Sequence, residues 1–375
     1  MNFSCTKDKL LQGLQLIEHI TGRNSSLPVL QNVLIRAANH SLYIIGTDLE
    51  MGMQASVSAK TNKEGEVSVP LKTLLGFIRT LPEGLLECKE QNKHLSIRAG
   101  EFHAQIKGED PSQYPLLPKR AQEEPFSLSA KEFAQTISYA VPSIANTDSK
   151  PELTGVYIHV SEDGMVAAAT DSFRLAERRT PLSIQTKQSF ILPGRAAQEI
   201  VRIFQQDESG TPLVCYMGAN QVFFEYSPND KSHIPALFVV SRLIEGQYPQ
   251  YEAIIPKTWQ TNVVADRETL LRHARAAGMF SNKLREVKVT ISPGMQKMTL
   301  ATNDSASGEY RSDLPCAGQG EDQEILLNHQ YLLEGIQGIG DADIRIKCAE
   351  AGKPVLLEPA NEKGYLYIVM PLRGN

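Results

Sequence analysis

Few residues in this 375-residue chain have the types and spacing that chemistry requires. Asp48 with Glu50, and Asp341 with Asp343, resemble paired carboxylates, in which one acid holds a proton while its neighbour stays ionised. Thr47-Asp48, Thr170-Asp171 and Thr302-Asn303 recur as polar couples that could serve catalysis. An active site is rarely built three times, however, and the acid drifts to Asn303 in the third couple. Tight turns, where such side chains bond local backbone, account for them better. The chain has no G-x-x-x-x-G-K phosphate loop, no strand-borne G-x-G-x-x-G, no H-E-x-x-H and no G-x-S-x-G. Its eight histidines lack metal-ligand spacing, and Cys5, Cys88, Cys215, Cys316 and Cys348 include no C-x-x-C pair. That cysteine pattern suits reduced thiols in a cytosolic protein. A binding scaffold is expected, with no catalytic residue, no metal and no cofactor.

The elements around these couples repeat. Thr6, Ser129 and Asp266 each stand before an amphipathic run: Leu10, Leu11, Leu14 and Ile17; Phe133, Ala134, Ile137 and Val141; Leu270, Leu271, Ala274 and Ala277. Each reads as a short helix, with a capping side chain at its start and one apolar stripe. A polar tetrapeptide follows at a strand end, as Gly46-Thr47-Asp48-Leu49, Ala169-Thr170-Asp171-Ser172 and Ala301-Thr302-Asn303-Asp304. A second helical pattern comes next, through Leu71 to Ile78, Ala197 to Phe204, and Leu332 to Ile339. The landmarks at 6, 46 and 70 recur at 129, 169 and 193, a constant offset of 123. Between the helices, Met51, Met53, Ala55, Val57 and Ala59 alternate with the period of a half-buried strand. Three tandem α+β repeats are expected, each a two-helix, antiparallel-sheet domain, over residues 1–118, 126–256 and 262–375. The segments Asp110 to Pro118 and Glu245 to Pro256 would connect them.

Composition bounds the partners. The charge is −5, from 38 Lys and Arg against 43 Asp and Glu, so attraction to nucleic acid has to come from uneven placement. The six helical windows hold ten Lys or Arg and seven Asp or Glu, leaving −8 for the remainder. A positive helical layer on an acidic protein suits phosphates on one side and repels them on the other. No run approaches the roughly 18 apolar residues of a membrane span, and the N-terminus lacks a signal-peptide core. The expectation is a cytoplasmic protein without membrane contact.

With these elements in place, the chain resembles the bacterial beta sliding clamps over essentially its whole length. Leu27-Pro28-Val29-Leu30 with Gly46-Thr47-Asp48-Leu49-Glu50 is similar to the family's first-domain signature, and Ala169 through Ala176 to its second. Glu245-Gly246-Gln247-Tyr248-Pro249, Phe280-Ser281-Asn282-Lys283 and the terminal Tyr367 through Arg373 match in order. Ser172-Phe173 departs from the family's common Gly-His, and Gly374-Asn375 extends its usual end.

The resemblance implies two chains joined head to tail, with helices lining a ring channel, sheets outside, and duplex DNA bound without sequence preference. Partners would be the replicative DNA polymerase catalytic subunit, an ATP-driven clamp loader, and other polymerases and repair proteins carrying short hydrophobic motifs. DNA contacts would come from Arg23, Lys72, Lys150, Arg195, Arg202, Arg272 and Lys283. Phe102 and Ala104 would meet Met279 and Phe280 in the homodimer interface. Thr170, Ser172, Arg174, Leu175, Pro249, Ile254, Ile368, Met370, Pro371 and Leu372 would line a partner-peptide pocket. The alternative is a monomeric three-repeat adaptor that never surrounds DNA.

Overall fold

The computed structural model describes residues 1–21, 27–120, 124–147, 149–182, 186–228 and 236–372. Each repeat supplies two helices: α1 (Lys7–Ile17) and α2 (Leu71–Thr80), α3 (Ala130–Ala140) and α4 (Gly194–Phe204), α5 (Arg267–Met279) and α6 (His329–Gln337). The 123-residue offset holds for whole elements. It relates α1 to α3 (Lys7 to Ala130), strand Asn32–Ala38 to Gly155–Ser161, strand Ser41–Thr47 to Gly164–Thr170, and α2 to α4 (Leu71 to Gly194). After α2 and α4 the offset becomes 127 (His94 to Gln221), and at the last strand 134 (Phe102 to Ala236), so the length differences lie in connections between elements.

The chain divides into two compact units, Met1–Gln135 with Gln198–Leu243, and Thr136–Ala197 with Ile244–Asn375. In the first, a five-stranded sheet runs in the order 60–63, 2–6, 85–91, 94–99, 102–107. An eight-stranded sheet follows the order 126–129, 212–217, 221–226, 236–242, 51–58, 41–47, 32–38, 65–70. Copies one and two fuse within it, where 236–242 pairs antiparallel with 51–58. The second unit has a nine-stranded sheet, 188–193, 155–161, 164–170, 174–180, 365–369, 355–359, 343–348, 261–266, 317–320. Copies two and three fuse there through 365–369 and 174–180. A four-stranded sheet, 308–315, 297–304, 286–292, 323–328, completes it.

The helices seal these sheets as their patterns require. α1 buries Leu10, Leu14 and Ile17, and a Cβ at Gly46 would overlap Ile17 Cγ2, so helix and strand touch at backbone distance. In the second unit α5 and α6 bury Leu270, Leu271, Ala274, Leu332 and Ile336 in one cluster with Leu300, Leu357 and Tyr367. Two of the three expected caps form: Asp266 Oδ1 accepts from Thr269 N at 2.8 Å, and Ser129 Oγ from Glu132 N at 3.3 Å. Thr6 makes no side-chain cap bond. The Lys7 amide donates to the Gly84 carbonyl at 3.0 Å, as the Arg267 amide at the start of α5 donates to the Ala342 carbonyl at 2.8 Å.

The polar tetrapeptide is a tight turn in two copies and something else in the third. Thr47 Oγ1 donates to the Met51 carbonyl, and Asp48 Oδ1 accepts from Glu50 N and Met51 N at 3.0 and 2.7 Å. Thr170 and Asp171 repeat the pattern onto Phe173 N and Arg174 N, both at 2.9 Å. Leu49 and Ser172 take positive φ of 78° and 76°. In copy three, Thr302 and Asn303 continue the strand Lys297–Asp304, and Asp304 caps the turn by accepting from Ser307 N at 3.0 Å. The tight turn expected at Thr302-Asn303 is therefore displaced to the hairpin end. Asp48→Ala should cost about 2 kcal/mol by orphaning buried amides, whereas Asn303→Ala should cost less than about 0.5 kcal/mol. Urea denaturation midpoints of the two variants measure the difference.

Candidate functional site

The turn at 170–174 is the hub of the candidate partner site. Beneath it the Tyr248 hydroxyl accepts from Thr170 N at 3.0 Å, while its ring stacks on Tyr157 with centroids 5.1 Å apart. Burial pushes the Tyr248 hydroxyl well above its ordinary pKa, so it stays a neutral pin. Leu175 and Ile368 face each other across the strand pair and are fully buried with Ala168, Tyr248 and Leu356. Neither reaches solvent. Ser172, Phe173, Pro249 and Ile254 are exposed, and Met370, Pro371 and Leu372 are half-buried.

Arg174 is committed within the chain. It is 8% exposed, with Nε 2.9 Å from Asp171 Oδ2, a bond to Glu334, and its guanidinium 4.3 Å from the centre of the Tyr331 ring. Gln330 Nε2 donates to the other Glu334 oxygen at 2.9 Å. This cluster ties the turn to α6, and the sequence reading missed Asp171, Tyr331 and Glu334 as its members.

The terminal segment is held on two sides. Met370 N donates to the Phe173 carbonyl and Leu372 N to the Leu326 carbonyl, both at 2.8 Å. Its far flank opens on a groove of about 770 Å³ whose lining includes Lys288, Glu324, Leu326, Lys353, Met370 and Leu372. Thus Met370 to Leu372 border a groove made from copy three, beyond the positions inferred around the 170–175 turn. Pairing along 323–328 creates that wall, which periodicity alone does not reveal.

Among the candidate DNA residues, Lys72, Lys150, Arg272 and Lys283 are exposed. Arg272 donates to Thr269 Oγ1, at 3.3 Å. Arg202 is more occupied, pairing with Glu199 at 2.7 Å and donating to the Leu16 carbonyl. Arg195 is half-buried. Arg23 lies outside the described residues. Arg275, one turn beyond Arg272, is also exposed on α5; its i+3 spacing was the available signal.

Of the candidate interface residues, Phe102 is 46% and Met279 76% exposed, and Ala104 is half-buried. Phe102 and Ala104 lie on 102–107, an edge strand of the five-stranded sheet. Phe280 stacks on Tyr310, centroids 5.9 Å apart and rings 10° from parallel. Tyr310 belongs to 308–315, an edge strand of the four-stranded sheet. The five cysteines are free and buried, with the thiols of Cys5 and Cys348 pushed up to about 12 by burial. Among the described residues no cluster of three or more His, Cys, Asp or Glu could hold a metal ion, and no helix is long and apolar enough to cross a membrane.

Three α+β copies fused through shared sheets define a scaffold of the clamp type. Models of the DNA polymerase III beta subunit N-terminal, central and C-terminal domains match residues 1–118, 127–250 and 252–373, and the chain belongs to that family, the beta sliding clamps. It is 28% identical to the beta sliding clamp of Synechococcus elongatus over 100% of this chain and 99% of that one. With the Salmonella typhimurium clamp the identity is 27%, over 100% of both. The fold is that of the DNA polymerase sliding clamp from Bacillus subtilis, with TM-score 0.91 and 22% identity over 100% of both chains. The family's members are non-catalytic processivity factors.

Arg174→Ala should lower stability by roughly 3 kcal/mol, because Asp171 and Glu334 would keep their charges without the guanidinium. Adding Glu334→Gln should recover part of that loss. A double-mutant cycle in urea reads the coupling, and additive effects would separate the two residues.

Proposed function

We propose that two chains close head to tail into a ring that encircles duplex DNA, slides along it in the cytoplasm, and tethers polymerases without chemistry of its own. One observation carries the reading. In both fusions the last strand of a copy pairs with an earlier strand of the preceding copy: 236–242 with 51–58, and 365–369 with 174–180. By sheet order, 102–107 is the corresponding last strand of copy one, and 308–315 is the corresponding receiving strand of copy three. Both are sheet edges. A second chain offers each the partner it lacks, and a contact between unlike edges closes into a ring when the rotation permits. Phe102 and Ala104 would then pack near Met279 and Phe280, with repeat boundaries at 1–118, 126–256 and 262–375.

Helices would line the channel, with Lys72, Lys150, Arg195, Arg202, Arg272, Lys283 and Arg23 as sequence-independent phosphate contacts. The loader, the replicative polymerase and repair proteins would insert short hydrophobic motifs at the site bounded by Thr170, Ser172, Arg174, Pro249, Ile254 and Met370 to Leu372. Leu175 and Ile368 would provide its floor. Apolar surface supplies most of the affinity in such sites, and a few polar groups set orientation. Met370 adapts its shape to several partners.

In light scattering the chain should have about twice its 41.4 kDa mass. Phe280→Arg should give folded monomers by removing roughly 2 kcal/mol or more from each interface; a mutant still dimeric at micromolar concentration would take Phe280 out of the interface. Replacing Arg272 and Arg275 by alanine should flatten the salt dependence of DNA binding, by about 0.9 in log–log slope for each phosphate no longer neutralised. Deleting 370–375 should abolish partner-peptide binding in calorimetry while the dimer persists, and undiminished affinity would move the site elsewhere.

A further inference from the structure

The repeat places a second copy of the partner-site framework at the fusion of copies one and two. The match extends to individual bonds. Thr47 Oγ1 bonds the Met51 carbonyl at 2.9 Å as Thr170 Oγ1 bonds that of Arg174 at 2.6 Å. Leu49 N and Ser172 N both donate to the threonine hydroxyl at 3.1 Å. A connector tyrosine lies under each turn, although the Tyr114 hydroxyl donates to the Asn32 and Ile45 carbonyls at 3.2 and 3.3 Å where that of Tyr248 accepts from Thr170 N. Arg242 N donates to the Glu50 carbonyl at 2.9 Å, the counterpart of Met370 N on the Phe173 carbonyl.

The side chains differ where a partner would enter. Exposed Phe173 and half-buried Met370 are replaced by Glu50 and Arg242, an ion pair at 3.4 Å that joins the turn to the strand end. On the floor, Gly52 and Val240 replace Leu175 and Ile368. A Cβ at Gly52 would overlap Leu117 Cδ2 and come within 3.2 Å of Val240 Cγ1. Leu117, from the chain's own connector, therefore occupies the hollow that the glycine leaves. An apolar side chain entering here would have to desolvate two charges, which is costly without new partners, and would find the apolar surface beneath already covered.

We infer that this first junction is a shut copy of the partner site, kept closed by Glu50, Arg242 and Leu117, so that each chain offers hydrophobic motifs a single site. The inference rests on the reading of the second junction as the partner site. The probe is a fluorescein-labelled pentapeptide containing leucine and phenylalanine, selected for binding to the full-length wild-type chain, with stoichiometry read by titration. Wild type should bind one peptide per chain, and Met370→Glu should bind none. If Met370→Glu left binding intact, the reading of the second junction would fail. Glu50→Phe with Arg242→Met should raise the stoichiometry to two with a weaker second site, because Leu117 still has to move aside, and adding Leu117→Ala should tighten that second site. In the Met370→Glu background the same changes should restore one. Glu50 and Arg242 are exposed, so the double variant should keep its circular dichroism melt even if Leu117→Ala does not fold. A wild type that binds two peptides, or a folded double variant that gains none while Met370→Glu abolishes binding, would overturn the inference.

Discussion

The antiparallel ladder that joins one copy to the next is the constraint on which everything else hangs. It removes two sheet edges from solvent, and exposed edges invite unwanted pairing. It also makes the junctions, because a turn, a connector tyrosine and the end of the incoming strand meet only where two copies share a sheet. The same rule leaves 102–107 and 308–315 without a partner from a neighbouring copy. A closed ring of two chains would be an arrangement in which no copy breaks the rule.

Charge follows a similar economy. Many of the chain's cations are spent internally: Arg36 on Glu66, Arg79 on Glu18, Arg120 on Glu225, Arg345 and Lys347 on Glu358. Lys72, Arg272 and Arg275 are exposed on helices, while Lys89, Arg98 and Lys107 are exposed on strands. A net charge of −5 would weaken a protein that holds DNA by affinity alone. It is compatible with one that holds DNA by topology, where weak and mobile contacts favour sliding.

Local features were legible in the sequence. The 123-residue offset, the alternation from Met51 to Ala59 and the helical stripes each reflect a periodicity that burial imposes on neighbouring residues, and the elements follow it. What escaped depends on partners distant in sequence. Thr302-Asn303 stays in a strand because the hairpin turns later, at Asp304. Arg174 is tied to Glu334, 160 residues away in sequence, a partner that local pattern does not announce. Leu175 and Ile368 read as pocket lining in sequence, yet both are completely buried and present no surface of their own. At the first junction nothing in Leu117 or Gly52 alone announces that one fills the space of the other.

Encirclement is tested most directly by topology. The purified protein, loaded onto nicked circular duplex by an ATP-driven loader, should stay bound through gel filtration at high salt and leave once the circle is cut by a restriction enzyme. Blocking both ends of the linear product with bound protein should retain it again. Equal retention on open linear and circular DNA, or no retention on either after loading, would contradict the account.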